Sequence, residues 1–164
     1  SRGNLAGAYE SAGKLEQAID LYEQTLTDRE RILGPDHPHT LTSRGNLAGA
    51  YESAGKLEQA IDLYERTLAD CERVLGADHT NTLTSRNNLA HAYESAGKLE
   101  QAIDLYKRNL AEVLRVLGPD HPHTRLFRKK LADAYRAVGR DEDAEALLDP
   151  PSDPDDTDTE APTC

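Results

Sequence analysis

The chain has 164 residues, with 30 acidic and 19 basic side chains and a formal net charge of −11 at pH 7. A chain this acidic is expected to repel phosphate, which disfavours nucleic acid as a partner. No apolar run approaches the about 20 residues that span a bilayer, so we expect no membrane association. The two cysteines, Cys71 and Cys164, are too few for a disulfide framework or a metal set. We therefore expect a cytoplasmic protein without a cofactor.

The sequence repeats with a period of 42 residues. Residues 43–84 differ from residues 1–42 at seven positions, residues 85–126 differ from residues 43–84 at twelve, and residues 127–148 begin a divergent fourth copy. Such a period is typical of solenoids, in which each unit buries its apolar face against its neighbours. We predict a solenoid over residues 1–148 and an acidic, disordered tail over residues 149–164. The chain opens inside a repeat, so we expect it to belong to a longer array.

Each copy is predicted to form two helices. In the second copy, helix A is predicted over residues 38–54 from apolar residues spaced three and four apart, and Gly55 ends it. Helix B is predicted over Leu57–Leu75 and ends at Gly76. In the fourth copy helix B shortens to about residues 141–148. The C-terminal end of the array also collects basic residues, a feature typical of a capping repeat, namely Arg125, Arg128, Lys129, Lys130, Arg136 and Arg140.

Small and aromatic residues recur at matching positions of both helices, namely Leu47, Ala48, Tyr51, Ala60 and Tyr64. This pattern resembles the tetratricopeptide repeat, although the unit is longer than the usual 34 residues and Arg44 replaces the family's tryptophan. The Gly55-Lys56 turn and the Leu-Gly-Pro-Asp-His-Pro linker at residues 33–38 resemble more closely the 42-residue repeats of kinesin light chains. The resemblance implies an all-α fold, a right-handed superhelical solenoid of antiparallel helix pairs.

The resemblance also implies a concave groove, lined by helix A of each repeat, that holds an extended peptide. The groove positions carried over to this chain are Gly45, Asn46, Gly49, Glu52, Asn87, Asn88, His91 and Glu94. In related proteins the position of Asn46 and Asn88, shared by Asn4, hydrogen-bonds the peptide backbone, and an amide offers both a donor and an acceptor. The alternative is that these amides bond within the solenoid. His91 stands where other copies have glycine, so it is either a groove contact or variation on a solvated face.

Two other patterns invite a chemical interpretation. The pairs His37/His39 and His121/His123 could suggest a metal site, but Asn81 breaks the pattern in the middle copy. We favour a structural role, in which the Asp-His step caps helix A. Acid–base pairs four residues apart, Glu52–Lys56 and Asp62–Arg66, are predicted to be ion pairs on exposed helix. No phosphate loop or catalytic triad is present in the sequence, so we expect no enzyme activity.

Two functions remain open at this stage. The first is a scaffold whose groove binds an extended segment of another protein of unknown identity. The missing lysine and arginine clamp makes a C-terminal carboxylate a poor ligand. The second is self-association: the shortened first repeat exposes a face that a longer array would cover, and a capped C-terminal end then predicts homodimers rather than filaments.

Overall fold

The computed structural model describes residues 14–148, and the regular secondary structure in this range is entirely helical. The helices, in chain order, are α1 (Leu15–Leu33), α2 (Pro38–Ser53), α3 (Leu57–Leu75), α4 (Thr80–Ser95), α5 (Leu99–Leu117), α6 (Pro122–Ala137) and α7 (Asp141–Leu148). Helix A of the second copy, α2, ends one residue before its predicted end. Helices α3 and α7 have their predicted bounds. Each helix packs against the next one, and α2 also contacts α4, which confirms the all-α helical-repeat solenoid.

Several expectations fall on residues that the structure does not describe. The tail at residues 149–164, the self-associating N-terminal face and Asn4 all lie outside residues 14–148. Within residues 14–148, every helix is too short or too polar to span a bilayer.

The turn inside each repeat depends on glycine. Gly55 has φ +76° after α2, and Gly97 has φ +75° after α4. A side chain in this left-handed region is strained, whereas glycine has no Cβ and adopts it freely. The turn lets helix B fold back along helix A, and the prediction that Gly55 ends helix A is confirmed.

Histidine and threonine side chains fix the linker between repeats. In each linker a histidine Nδ1 accepts a hydrogen bond from the backbone N–H two residues later, at 3.1 Å for His37, 3.0 Å for His79 and 3.1 Å for His121. This arrangement confirms the capping role predicted for the Asp-His step. A fully buried threonine also donates to the glycine carbonyl that ends helix B, in the pairs Thr40–Gly34, Thr82–Gly76 and Thr124–Gly118.

Alanine and tyrosine fill the core at the recurring positions. The alanines are almost completely buried, which lets helix backbones approach closely, and they include Ala48, Ala60, Ala90, Ala102, Ala132 and Ala144. The helix B tyrosines Tyr64 and Tyr106 are 4% and 2% exposed. Tyr51 on helix A is half-buried and packs against this core, and its hydroxyl donates to Glu23 on α1 at 2.8 Å.

Buried arginines occupy the position of the family's tryptophan. Arg44 forms a hydrogen-bonded ion pair with Asp70 and donates to the Pro35 carbonyl at 2.9 Å. Arg86, 3% exposed, donates to Asn109 at 3.0 Å and to Glu72 at 3.0 Å. A buried charge is tolerated when it is paired in this way, so each arginine ties helix A to the helices on either side of it.

Candidate functional site

An open groove runs between α2 and α4, the first helices of two successive repeats. Its wider part encloses about 630 Å³, and its lining residues are Tyr22, Gly45, Asn46, Gly49, Glu52, Ser53, Tyr64, Asn88, His91 and Ser95. A narrower part of about 170 Å³ continues towards the start of both helices and shares Gly45, Asn46 and Asn88. The structure therefore brings most of the predicted groove positions into one continuous depression.

The Glu52 carboxylate contacts three other polar side chains of this groove. One carboxylate oxygen lies 2.6 Å from His91 Nδ1 and accepts a hydrogen bond from the Ser95 hydroxyl at 3.5 Å. The other oxygen accepts from the Tyr64 hydroxyl at 3.4 Å. Since His91 and Ser95 belong to α4, these contacts join the two walls of the groove. His91 therefore faces the groove, with 60% of its side chain exposed.

The two asparagines predicted to contact a peptide lie on opposite walls. Asn46 of α2 is exposed and Asn88 of α4 is half-buried, and both line the wide and the narrow parts of the groove. Neither amide makes a side-chain hydrogen bond to another residue in the range 14–148. For the alternative, in which these amides bond within the solenoid, the described residues offer no hydrogen-bond partner.

Asn87 and Glu94 belong to the next step of the solenoid, towards α5 and α6. The Asn87 amide oxygen is buried and has no hydrogen-bond partner among the described residues. Glu94 accepts from the Tyr106 hydroxyl at 3.2 Å, which repeats the Glu52–Tyr64 contact one copy later. Burial raises the pKa of Tyr106, and the negative charge of Glu94 adds to the effect. These two predicted residues therefore lie outside the cavity that holds Asn46, Asn88 and His91.

One predicted ion pair is wrong. Glu52 does not pair with Lys56; the Lys56 ammonium lies 3.8 Å from Glu16 on α1. The helix ends at Ser53, so Lys56 follows the turn and no longer shares a helical face with Glu52. The Asp62–Arg66 pair is confirmed, with 3.1 Å between the charged atoms.

Sequence reasoning missed three contributors to the groove: Tyr22, Tyr64 and Ser95. The tyrosines lie on helix B, and most of each side chain is buried. Their recurrence with a carboxylate twelve residues earlier was a usable signal, since both Tyr64–Glu52 and Tyr106–Glu94 show it. Ser95 recurs in every full copy, so its conservation within the array did not distinguish a groove position.

A second cavity of about 560 Å³ lies on the other face of α2, between α1 and α3. Its floor is the Arg44–Asp70 ion pair, and its rim includes Asp62 and Arg66, which pair with each other. These charged groups are already satisfied, which makes the cavity a weaker candidate. Within residues 14–148, no three His, Cys, Asp or Glu side chains are grouped closely enough to hold a metal ion.

Stacked helix pairs with an open, polar groove define a class of protein, the repeat scaffold that binds other proteins. The family model for the tetratricopeptide repeat matches residues 1–71, 53–111 and 96–149. The chain belongs to the tetratricopeptide repeat family. No curated protein sequence matches it closely enough to be a relative.

Among solved structures, this chain is similar to repeat proteins of the kinesin light chain type. TPR-like repeats of a putative kinesin light chain from Podosopora anserina are 31% identical, with a TM-score of 0.82, over 90% of this chain and 70% of that one. BtubC (BKLC) from P. vanneervenii is 25% identical, with a TM-score of 0.80, over 90% of this chain and 59% of that one. The present chain thus spans less than two thirds of BtubC. Its repeats are of the kinesin light chain type, and they form a protein-interaction scaffold.

Proposed function

We propose that the groove between α2 and α4 binds an extended segment of another protein, without catalysis. The observation that carries the proposal is the pair of unbonded amides on opposite walls, Asn46 and Asn88. An extended backbone offers an N–H and a C=O at each residue, and an asparagine amide complements both groups. Two amides facing one depression can therefore bind the backbone of a peptide without contacting the peptide's side chains.

The glycines of α2 support a main-chain ligand. No atom lies within 4 Å of the place where a Cβ on Gly45 would stand, and a Cβ on Gly49 would meet only the Tyr64 hydroxyl, at 3.4 Å. These positions leave open space beside Asn46, so a peptide backbone can approach the α2 helix closely. A larger side chain at Gly45 would fill the space that the proposal assigns to the ligand.

The charge of the groove favours neutral or basic segments. Its wide part is lined by the carboxylate of Glu52 and contains neither lysine nor arginine. A ligand carboxylate would meet Glu52 without a compensating cation, whereas a ligand lysine or arginine could pair with it. Such a cation would compete with His91 for Glu52. Ligand binding would therefore weaken the Glu52–His91 contact between the two walls.

Selection of peptides from a displayed random library, followed by affinity measurement, tests the proposal. We expect the selected peptides to lose about tenfold or more in affinity on Asn46→Ala or Asn88→Ala, because each substitution removes hydrogen bonds worth about 1–3 kcal/mol when buried by a ligand. Gln101→Ala, an exposed amide on helix B of the third copy, is the matched control and should leave the affinity unchanged.

Two results would contradict the proposal. One is a set of ligands whose affinity is unaffected by both asparagine substitutions. The other is loss of binding on Asp62→Asn, which would assign the ligand to the cavity between α1 and α3.

A further inference from the structure

Helix α6 carries a cluster of cations that the rest of the described chain does not neutralise. Its sequence holds five basic residues and one acid, Asp133, in a chain whose net charge is −11. Asp133 lies 3.6 Å from Arg136. The other four cations have no ion-pair partner within residues 14–148, and they are Arg125, Arg128, Lys129 and Lys130.

The earlier copies show how unusual this cluster is. Helices α2 and α4 have one arginine each, Arg44 and Arg86, and both are buried and paired with carboxylates. At the position of Lys130 the other copies have Asn46 and Asn88, which line the groove. Lys129 stands at the position of Gly45, another groove residue. The two lysines therefore occupy the face of α6 that would look towards a following helix A.

The chain that leaves α7 starts close to this face. Helix α7 has eight residues and is about 12 Å long, and it packs antiparallel to α6, so Leu148 ends about level with Lys130. Packed helices are about 8–10 Å apart. A sixteen-residue segment spans up to about 50 Å, which makes the lysines easily reachable. In the earlier copies the chain leaving helix B turns back towards the preceding helix A, since α4 contacts both α3 and α2.

The segment that follows α7 has the complementary charge. Residues 149–164 hold six acids and no bases. We infer that this acidic segment binds the basic face of α6 within the same chain, over Lys129 and Lys130. It then covers the face of α6 on which the two lysines lie and offsets their charge. This inference is independent of the ligand proposed for the α2–α4 groove.

A spin label on the tail tests the inference in the full chain. Cys71→Val leaves Cys164 as the single thiol, and the third copy already has Val113, equally buried, at the position of Cys71. With a nitroxide on Cys164, we expect the backbone amide signals around Lys129 and Lys130 to lose intensity relative to the reduced label. Signals of α2 should keep their intensity. At about 1 M salt, where the screening length is about 3 Å, the effect should disappear.

Matched variants separate a specific contact from general attraction. Lys129→Asn with Lys130→Asn introduces the residues that the third copy has at these positions, and it should restore the α6 intensities. Lys98→Gln with Arg108→Gln removes two charges elsewhere, Arg108→Gln copying Gln24, and should leave the broadening in place. Equal broadening in the lysine variant, or no broadening of α6, would overturn the inference. Broadening that also appears in isotope-labelled chains mixed with spin-labelled ones would overturn it too, because the contact would then join two chains.

Discussion

Replacing Asn109 should lower the unfolding free energy more than replacing most other polar residues. Asn109 accepts a hydrogen bond from the buried Arg86, a role that Asp70 has for Arg44 in the second copy. The third copy has Asn109 where the second has Thr67, and Glu112 where the second has Asp70. Asp70 pairs with Arg44, whereas Glu112 pairs with Arg115, at 2.7 Å, and not with Arg86. Arg86 therefore depends on the Asn109 oxygen, at 3.0 Å, in a fully buried site.

The size of the effect follows from the two hydrogen bonds that Asn109→Thr removes. The bond from the Arg86 guanidinium is to a charged donor, worth about 1.5–3 kcal/mol, and the bond from the Asn109 amide to the Leu83 carbonyl, at 3.0 Å, is worth about 1 kcal/mol. The remaining contact of Arg86 with Glu72 keeps part of the charge satisfied. We expect a loss of about 3 kcal/mol in unfolding free energy, or about 6–12 °C in melting temperature.

Urea unfolding followed by circular dichroism measures this loss, and a double-mutant cycle assigns it. In the background of Arg86→Met, Asn109→Thr should cost only about 1 kcal/mol, since no guanidinium is left to satisfy. The double substitution Asn109→Thr with Glu112→Asp should recover much of the stability, because it recreates the arrangement of the second copy. A loss below about 0.5 kcal/mol, or an equal loss in both backgrounds, would refute the reasoning.

Three further predictions concern stability. Tyr106→Ala should cost about 3–5 kcal/mol in urea unfolding and Tyr51→Ala only about 1–2, because Tyr51 is half-buried; equal costs would contradict this. His79→Ala should cost about 1 kcal/mol, while His79→Asn, which can also cap, should cost little; a melt in which both variants behave alike would count against the cap. Burial, with the hydrogen bond to Glu65 and its charge, raises the pKa of Tyr93 to about 12. The folded state therefore favours the neutral phenol, a contribution present below pH 10 and lost as the pH rises towards 12. Tyr93→Phe should flatten the stability profile in that range, and an unchanged profile would contradict the assignment.

The fold could be predicted closely because the determinants are local and repeated. Gly55, Gly97 and Gly139 end helix A in the three copies whose helix A the structure describes, and the spacing of Ala and Tyr residues identifies the buried faces. The bounds of α3 and α7 followed from these signals alone. The error at Glu52–Lys56 arose because an i, i+4 rule was applied across a helix end, where the two residues no longer share a face.

The groove was harder to predict than the helices. The helix A positions came from the family resemblance, and the structure places Asn46, Asn88, Glu52 and His91 around one depression. Which atoms bond across it depends on the offset between α2 and α4, and no single repeat encodes that offset. The contact between Glu52 and His91 joins residues 39 positions apart, so it is visible only once the repeats are stacked.

The substitution of asparagine for threonine at Asn109 shows the same limit. It reads as a conservative polar change, and the burial of Arg86 that gives it importance is a property of three packed helices. Likewise, the basic residues of α6 suggested a polar cap in the sequence. That no carboxylate within residues 14–148 pairs with Lys129 or Lys130 became evident only from the packed neighbours.

The proposed function rests most directly on the two amides in the groove. Titration of an isotope-labelled sample with a library-selected peptide, followed through the side-chain NH₂ signals of Asn46 and Asn88, tests it at those atoms. We predict that both pairs of signals shift in a saturable manner with the same dissociation constant, while signals of α3 and α5 stay near their free positions. Binding that leaves both side-chain amides unmoved, or that shifts residues around Asp62 and Arg66 instead, would contradict the proposed groove.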